Sequence, residues 1–393
     1  MKLAMIGFGQ AGGKILDKFL EYDNRTGGKI VTSAVAINTA KADLLGLDYV
    51  PDENRVLIGQ TRVKGHGVGA DNELGAEIAE EDIDEIQGTL DHVPVHEIDA
   101  FLIIAGLGGG TGSGGAPVLA KHLKRIYTEP VYGLGVLPGT DEGGIYTLNA
   151  ARSFQTFVGE VDNLLVFDND AWRRAGESIE SSYDDINEEI VRRFGLLFNA
   201  GEIDPGDEVG ESIVDSSEII NTLGSGGVST VGYANEAIEN PHSGGGLLSR
   251  FKGKSTAEKI DTATTTNRIT SLVRKAVLGR LTLPCELQGI ERALVVISGP
   301  PEHLNRKGIE YGRKWTEEQT GSMEVRGGDY PIRRANEVAC TVLLSGVTNV
   351  PRIKELQQVA IEAQHNIEDI KAESKDNLEN LVSTQDDELE PLF

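Results

Sequence analysis

The sequence predicts an α/β protein in which a parallel sheet covered by helices is followed by a long helix and a smaller α+β unit. Three observations carry this. β-Branched or aliphatic runs alternate with helix-like segments through the first half, the pattern of strands joined by crossover helices. Each run gives way to Gly, Asn or Asp, at the strand ends where such sheets bind ligands. After about residue 178 the period changes to an amphipathic helix, then to turn-rich sequence, then to a second set of helices and strands.

The first strand, "KLAMIG", runs into "IGFGQAGGK", where Gly7, Gly9 and Gly12 form GxGxxG ahead of a helix. "KIVTSAVAIN" ends in Asn38, not in the Asp or Glu that holds a dinucleotide ribose, so a Rossmann NAD-dependent oxidoreductase is a poor alternative. A strand-like "RVLIG" precedes "GHGVGADNELG", residues 65–75, placed to close over a terminal phosphate. "AFLIIAG" leads into the densest glycine run, "GLGGGTGSGG" at 106–115, and the helix-like "APVLAKHLKRI". There Gly108 to Gly110 let backbone N–H groups approach closely, Thr111 and Ser113 offer hydroxyls, and the helix offers its positive end. Neither loop fits GxxxxGK[ST], which disfavours a P-loop NTPase. One pyrophosphate needs one such turn; two point to a longer phosphate chain. "PVYGLGVL" and "NLLVF" complete the strands of this half.

From Ser178 to Asn199, the residues Ile179, Tyr183, Ile186, Ile190, Phe194 and Leu197 recur at three and four and define a long amphipathic helix. "AGEIDPGDEVGES", a short helix near "SEIINTL" and a Gly/Ser/Thr-rich region to about residue 265 then read as a boundary with a flexible loop. Beyond it come a helix around "RITSLVRKAVLG", the strand "RALVVISG", a helix around "HLNRKGIEYGRKW", and the strands "SMEVRG" and "EVACTVLLSGV". Ile353, Leu356, Ala360, Ala363, Ile367 and Ile370 set one more amphipathic helix before the acidic end "STQDDELEPLF", which is expected to be disordered.

With 393 residues the chain has room for two or three domains. Its 37 basic and 62 acidic residues leave a net charge of −25, which excludes the clustered basic surface that nucleic acids require. So large an acidic excess suits a solvated surface in high salt, and hence a halophilic source. The two cysteines, Cys285 and Cys340, sit beside apolar residues and read as reduced buried thiols. His92 and His96 flank Pro94, so a loop is expected there and not a helical metal pair. No run of about 18 apolar residues occurs. A cytoplasmic protein without direct membrane insertion is therefore expected.

Together these motifs resemble the tubulin and FtsZ GTPases. "GGGTGSG" resembles their shared signature, "GQAGGK" with "KFLE" is close to tubulin's first loop, and "GHGVGADNELG" and "AINTA" are closer to FtsZ. The mixture is most similar to the archaeal CetZ family, over essentially the whole chain. The resemblance implies a GTP-binding domain at 1–177, a central helix and catalytic loop at 178–223, a C-terminal α+β domain at 224–348, and a C-terminal helix with an acidic tail at 349–393. It further implies GTP/GDP as ligand with Mg2+, hydrolysis to GDP, self-association into filaments, and a cell-shape role ahead of an FtsZ-like division ring.

Carried over position by position, the resemblance makes Gly9, Gln10, Ala11 and Gly12 the first phosphate contacts, with Gly13, Lys14 and Asn38 among the nucleotide-binding positions. Gly108, Gly109, Gly110, Thr111, Gly112, Ser113 and Gly114 form the second set, and Gly69, Ala70 and Asp71 reach the terminal phosphate. Glu142 in "GTDEGG" matches the ribose-binding acid, and Asn169 in "FDND" and Asn187 match the residues that read the base. Asn amides suit guanine because they accept from its N–H groups and donate to its carbonyl. Tyr183 lies on the helical face of Asn187, either stacked on the base or in the core. Two departures stand out. The arginine that FtsZ places four residues after its ribose acid is Tyr146 here, and its first-loop asparagine is Lys14. Lys14 and Mg2+ are left as candidates for neutralising phosphate.

"VDSSE", residues 214–218, resembles the FtsZ loop "VDFAD", and Asp215 and Glu218 match the acids that polarise the attacking water. A helix of roughly 20 residues at ~1.5 Å each carries the chain about 30 Å from the base. These acids are therefore expected to serve a neighbouring subunit's nucleotide, in a contact that propagates head to tail. Locally, Asp215 also reads as a helix N-cap with Glu218 three residues on, and both roles are compatible. The stretch "NPHSGGGLLSRFKGKS", 240–255, reads as a lateral-contact loop or as a mobile one. The final "DELEPLF" reads as a docking tail for adaptor proteins or as a frayed end.

Overall fold

The computed structural model describes residues 1–173, 179–200, 214–238, 262–333 and 335–382. Strand β1, Leu3–Phe8, is buried along its whole length, so its successive residues serve two apolar layers. It runs into helix α1, Gly9–Thr26, which buries Ile15, Leu16, Phe19 and Tyr22 and stops at Gly27, a residue in the left-handed region with φ 69°. Next come β2 (Val31–Asn38), α2 (Lys41–Leu45), β3 (Arg55–Leu57), α3 (Gln60–Val63), α4 (Asn72–Glu81) and α5 (Ile83–Leu90). β4 (Ala100–Gly106), α6 (Thr111–Ile126), β5 (Val131–Leu137), α7 (Gly144–Glu160), β6 (Asn163–Asp168) and α8 (Asn169–Trp172) follow. The second half holds α9 (Ile179–Asn199), α10 (Ser216–Leu223), β7 (Val228–Ala237), α11 (Thr262–Leu278), β8 (Arg292–Gly299), α12 (Arg306–Thr320), β9 (Glu324–Pro331), β10 (Glu337–Ser345) and α13 (Pro351–Val382).

The ten strands form one sheet in the order β3-β2-β1-β4-β5-β6-β7-β10-β8-β9. Pairing is parallel from β3 through β7, whereas β10 runs antiparallel to both β7 and β8. Alternate strand residues face opposite sides. Ile6, Phe8, Ile103 and Ala105 join one apolar layer with Ile78 of α4, Leu119 of α6, Phe157 of α7, Leu272 of α11 and Leu356 of α13. Met5, Leu102 and Ile104 join the other, under Leu16 and Phe19 of α1, Ile190 and Phe194 of α9, and Ile219 of α10. The result is a three-layer α/β/α arrangement, as expected.

One expectation is corrected. The Gly/Ser/Thr-rich stretch after Leu223, read as part of a flexible boundary, contains the ten-residue strand β7 in the middle of the sheet. Its polar residues are tolerated there because neighbours satisfy them. The Ser229 hydroxyl donates to Asn163 Oδ1 at 2.7 Å, and Thr230 Oγ1 accepts the Leu283 amide at 2.9 Å. β7 meets β6 through only two register pairs, Leu164 with Val228 and Leu165 with Ser229. The rest of the expected boundary, the 240–255 loop and the acidic tail lie outside the described residues.

The course of α9 sets the geometry of the molecule. Phosphate-type loops follow the C-terminal ends of β1 and β4. The far end of α9 lies at the opposite edge, where the Met1 amine donates to Phe198 O at 2.7 Å. α10 finishes at that same edge, its Leu223 carbonyl accepting from Asn163 Nδ2, at the start of β6, at 2.9 Å. Among the described residues no helix is long and apolar enough to cross a membrane. Cys285 and Cys340 are free thiols, the second fully buried.

Candidate functional site

Three glycine-bearing loops converge at the C-terminal ends of β1 and β4. Gly9 adopts φ 74°, and a Cβ there would stand 2.7 Å from the Gly112 nitrogen. A Cβ at Gly106 would lie 2.9 Å from Ala11 Cβ, and one at Gly112 would lie 2.7 Å from the Phe8 carbonyl. The third loop closes from the side, since a Cβ at Gly110 would meet Val68 at 2.5 Å and the Asp71 amide at 2.9 Å. Glycine is required here by contact between backbones as much as by φ. Gly69 and Gly109 differ: side chains added there would meet nothing within 4 Å. These open positions form a cradle with backbone on its walls.

Donors face the same region. Neither α1 nor α6 has a side-chain cap on its first N–H groups, whereas α4 does, its Leu74 amide donating to Asp71 Oδ1 at 3.0 Å. Two uncapped helix starts side by side leave orphan N–H groups with a positive end, the chemistry of a phosphate site. Ser113 Oγ bonds back to the Gly109 carbonyl within its own turn. Gln10, Ala11 and Lys14 are exposed on the first turns of α1, and Gly12 and Gly13 are buried.

Two residues that sequence reasoning missed tie the loops together. Asn149 Nδ2 donates to the carbonyls of Ala70 at 2.7 Å and Gly108 at 3.0 Å, so one amide on α7 joins the second and third loops. Its signal was a polar residue on the buried face of a helix, beside Ser153 and Phe154. Thr39 Oγ1 meets Thr111 Oγ1 at 2.7 Å, fixing the end of β2 to the start of α6. Asn38 itself turns inward. Its side chain accepts the Ala40 amide at 3.1 Å and donates to Asp43 Oδ2 at 3.1 Å.

A second pocket wall is built by the loop after β5. Glu142 accepts the Gly139 amide at 2.7 Å and hydrogen-bonds the Tyr183 hydroxyl from α9. Burial and the adjacent Glu142 carboxylate push the Tyr183 phenol up to about 12, so its proton stays in place to donate. Arg173, another residue not anticipated, pairs with Asp141 in this corner and brings a cation beside Gly139. Tyr146, where FtsZ is expected to carry arginine, borders Gly108 and is 37% exposed.

The β6–α8 turn is held to this wall from below. Thr140 donates to Asp170 Oδ1 through its amide at 2.9 Å and its hydroxyl at 2.8 Å. Burial pushes Asp168 up to about 6 against the pull of the nearby Arg352 guanidinium, whose Nε stands 3.4 Å away. Arg352 also donates to the Pro138 carbonyl at 3.0 Å, linking α13 to the loop that carries Glu142. Asn169 is buried, yet among the described residues its Oδ1 has no hydrogen-bond partner. A buried orphan acceptor is costly, and a ligand N–H would satisfy it. Asn187 is half-buried on α9, one turn after Tyr183.

Asp215 and Glu218 are not part of this assembly. Asp215 caps α10, accepting the Glu218 amide at 3.1 Å and the Ser217 hydroxyl, and those donors hold its carboxyl below the usual range. The Glu218 carboxylate turns to Arg326 on β9, at 3.0 Å. Both acids lie at the start of α10, whose other end, at Leu223, reaches the start of β6. Among the described residues no three His, Cys, Asp or Glu side chains converge on a metal position.

Comparison with known proteins agrees with this geometry. Residues 2–177 match the Tubulin/FtsZ family, GTPase domain, and residues 176–362 match the Tubulin-like CetZ, C-terminal domain. The chain is 76% identical over 373 residues to Tubulin-like protein CetZ1 of Haloferax volcanii, covering 94% of each chain. Among solved structures it is similar to CetZ1 from Haloferax volcanii as a GDP-bound monomer, with TM-score 0.82 and 72% identity over 93% of this chain and 100% of that one. It is also similar to CetZ2 from Haloferax volcanii as a GTPγS-bound protofilament, with TM-score 0.82 and 45% identity over 94% of this chain and 100% of that one.

Proposed function

Since the chain belongs to the tubulin-like CetZ family of the tubulin/FtsZ superfamily, we propose that it is a polymerising GTPase that acts in control of cell shape. It binds GTP with Mg2+ at the three loops, and its subunits stack head to tail. Each subunit hydrolyses GTP only when a neighbour's Asp215 and Glu218 reach the γ-phosphate. Residues 1–177 hold the nucleotide, 178–223 carry the helix and catalytic loop, 224–348 form the C-terminal domain, and 349–393 the helix and tail.

One observation carries this reading: α9 begins at the pocket, where Tyr183 meets Glu142, and ends at the opposite edge of the sheet, where Phe198 meets Met1. The α10 helix that carries the acids finishes at that same end, at Asn163, which supports reading Asp215 and Glu218 as serving a neighbour's nucleotide and not their own. Twenty-one helical residues at ~1.5 Å each span about 30 Å. A donor face and an acceptor face at opposite ends make a heterologous contact, which propagates as an open filament.

In the pocket the roles follow from the donors present. The uncapped starts of α1 and α6, with Gly9 to Lys14 and Gly108 to Gly114, cradle the phosphates. Gly69 to Asp71 close on the terminal one. Glu142 accepts from ribose, Asn169 and Asn187 read the guanine edge, and Tyr183 packs beside it. At the far end Glu218 accepts the proton of the attacking water while Asp215 helps to orient it. Bound Mg2+ offsets phosphate charge and needs no protein cage.

The test is Glu218→Ala. Nucleotide binding and sedimentable polymer are expected to persist while phosphate release falls by two orders of magnitude or more, within the ~10²–10⁴-fold range of general-base catalysis. Turnover at the wild-type rate refutes the role of the acid. A rate per subunit that does not change with protein concentration refutes assembly coupling.

A further inference from the structure

Glu218 does not stand alone on its face. Its carboxylate accepts from Arg326 Nη1 at 3.0 Å, across from α10 to β9. Arg326 Nη2 in turn donates to Glu324 at 3.1 Å, and Glu324 pairs with Arg292 Nε at 2.9 Å. Arg292, on β8, closes the chain by donating to the Asn221 carbonyl near the end of α10. The adjacent register of Leu294 with Arg326 and of Arg292 with Glu324 is what lines these charges up. α10 is therefore gripped at both ends by a line of alternating charge rooted in the sheet. Its own N-terminus is already capped by Asp215, so the Glu218 side chain is free of a capping duty and its direction is set by Arg326.

We infer that Arg326 is a positioning residue for hydrolysis, delivering the Glu218 carboxylate in a fixed orientation to the neighbouring subunit's nucleotide. This rests on the reading of Glu218 given above. A glutamate on a helix start has three freely turning side-chain bonds, and one charge-assisted hydrogen bond from a guanidinium that Glu324 holds in place restricts them. The pair is about one-third exposed on each side, 33% and 36%, so it lies at a surface a docking subunit can reach. There the pair contributes little to the stability of the isolated chain. Its value lies in geometry, since misplacement by about 1 Å costs roughly 10²-fold in rate.

Arg326→Ala and Arg326→Lys test this on the full chain, with polymer quantified by sedimentation and turnover expressed per polymerised subunit. Arg326→Ala is expected to form wild-type amounts of polymer, with KM for GTP unchanged and kcat per polymerised subunit down by about 10- to 100-fold. Arg326→Lys keeps the charge without the fork and is expected to recover part of the loss. In a Glu218→Ala background, Arg326→Ala should cost nothing further, because its effect passes through Glu218. Unchanged kcat per polymerised subunit in Arg326→Ala overturns the inference, as does a further loss in the Glu218→Ala background. If Glu218→Ala itself turns over normally, the underlying role of Glu218 has failed. If Glu218→Ala is inactive and Arg326→Ala is not, only the positioning role has.

Discussion

Two glycines in the same loop, three residues apart, are expected to respond oppositely to the same methyl group. At Gly109 an added Cβ meets nothing within 4 Å, and the backbone is not in the left-handed region. Gly109→Ala should leave the nucleotide-free fold as stable as before, or raise its stability by up to ~1 kcal/mol through the unfolded chain. At Gly112 the same atom would lie 2.7 Å from the Phe8 carbonyl, backbone against backbone. Gly112→Ala should therefore cost about 1–3 kcal/mol of stability, as overpacking does. Nucleotide affinity orders them differently. If the space at Gly109 is where the phosphate chain lies, the methyl displaces one charge-assisted hydrogen bond from the cradle, about 1.5–3 kcal/mol. At 1.4 kcal/mol per decade, that weakens binding by roughly 10- to 100-fold. Thermal unfolding without nucleotide and titration with a fluorescent GTP analogue, both in concentrated KCl, read the two quantities separately. Wild-type affinity in Gly109→Ala refutes the placement of the phosphates. An unshifted melting temperature in Gly112→Ala refutes the close apposition of the two loops.

Arg352→Met should lower GTP affinity although Arg352 lies on α13, because it removes the donor to Pro138 and the charge facing Asp168. Both side chains of that pair are nearly buried, 10% and 4% exposed, so stability should fall by about 3 kcal/mol, seen as a lower melting temperature; an unchanged melting temperature counts against the contact. Asp168 sits at about 6 in the folded chain against an ordinary 3.8, so folding binds its proton more tightly. Its contribution to stability is full below about pH 3.8 and lost as pH rises through about 6; replacing it with Asn should flatten stability across that window in urea titrations at fixed salt. With −25 charges per subunit, filaments repel in dilute buffer, whereas at 1 M salt the Debye length of ~3 Å removes most of that repulsion. Light scattering in GTP should therefore rise with KCl, and a fall contradicts the electrostatic account.

What the sequence made legible is what burial makes monotonous. β1, β4, β5 and β6 are covered on both faces, and their aliphatic runs announce them. β7 is equally central but carries Ser229, Thr230 and Asn235, and its hydroxyls are satisfied by Asn163, Ser345 and Leu283, residues far along the chain. A strand stabilised by distant partners looks like a loop when read locally. The glycine loops were legible because close backbone approach admits no other residue. Asn149 was not, since its partners lie 41 and 79 residues away and nothing in its own window distinguishes it from a misplaced core position. Arg173, Arg326 and Arg352 share that difficulty: an arginine's partner is a fact of the fold.

The two acids at the far end also divide their labour in a way that only geometry reveals. Asp215 and Glu218 are equivalent as letters in "VDSSE". In the folded chain Asp215 already accepts two donors, the Ser217 hydroxyl and the Glu218 amide, and its carboxyl is held below the usual range. A carboxylate so occupied is a weaker base, and its remaining lone pairs are better suited to orienting a water than to taking its proton. Glu218 is held by one arginine at one oxygen, Oε2. On the proposed reading the cap that builds α10 is thus also what leaves Glu218 as the proton acceptor, and structural and catalytic duties fall on neighbouring residues without competing for the same lone pairs.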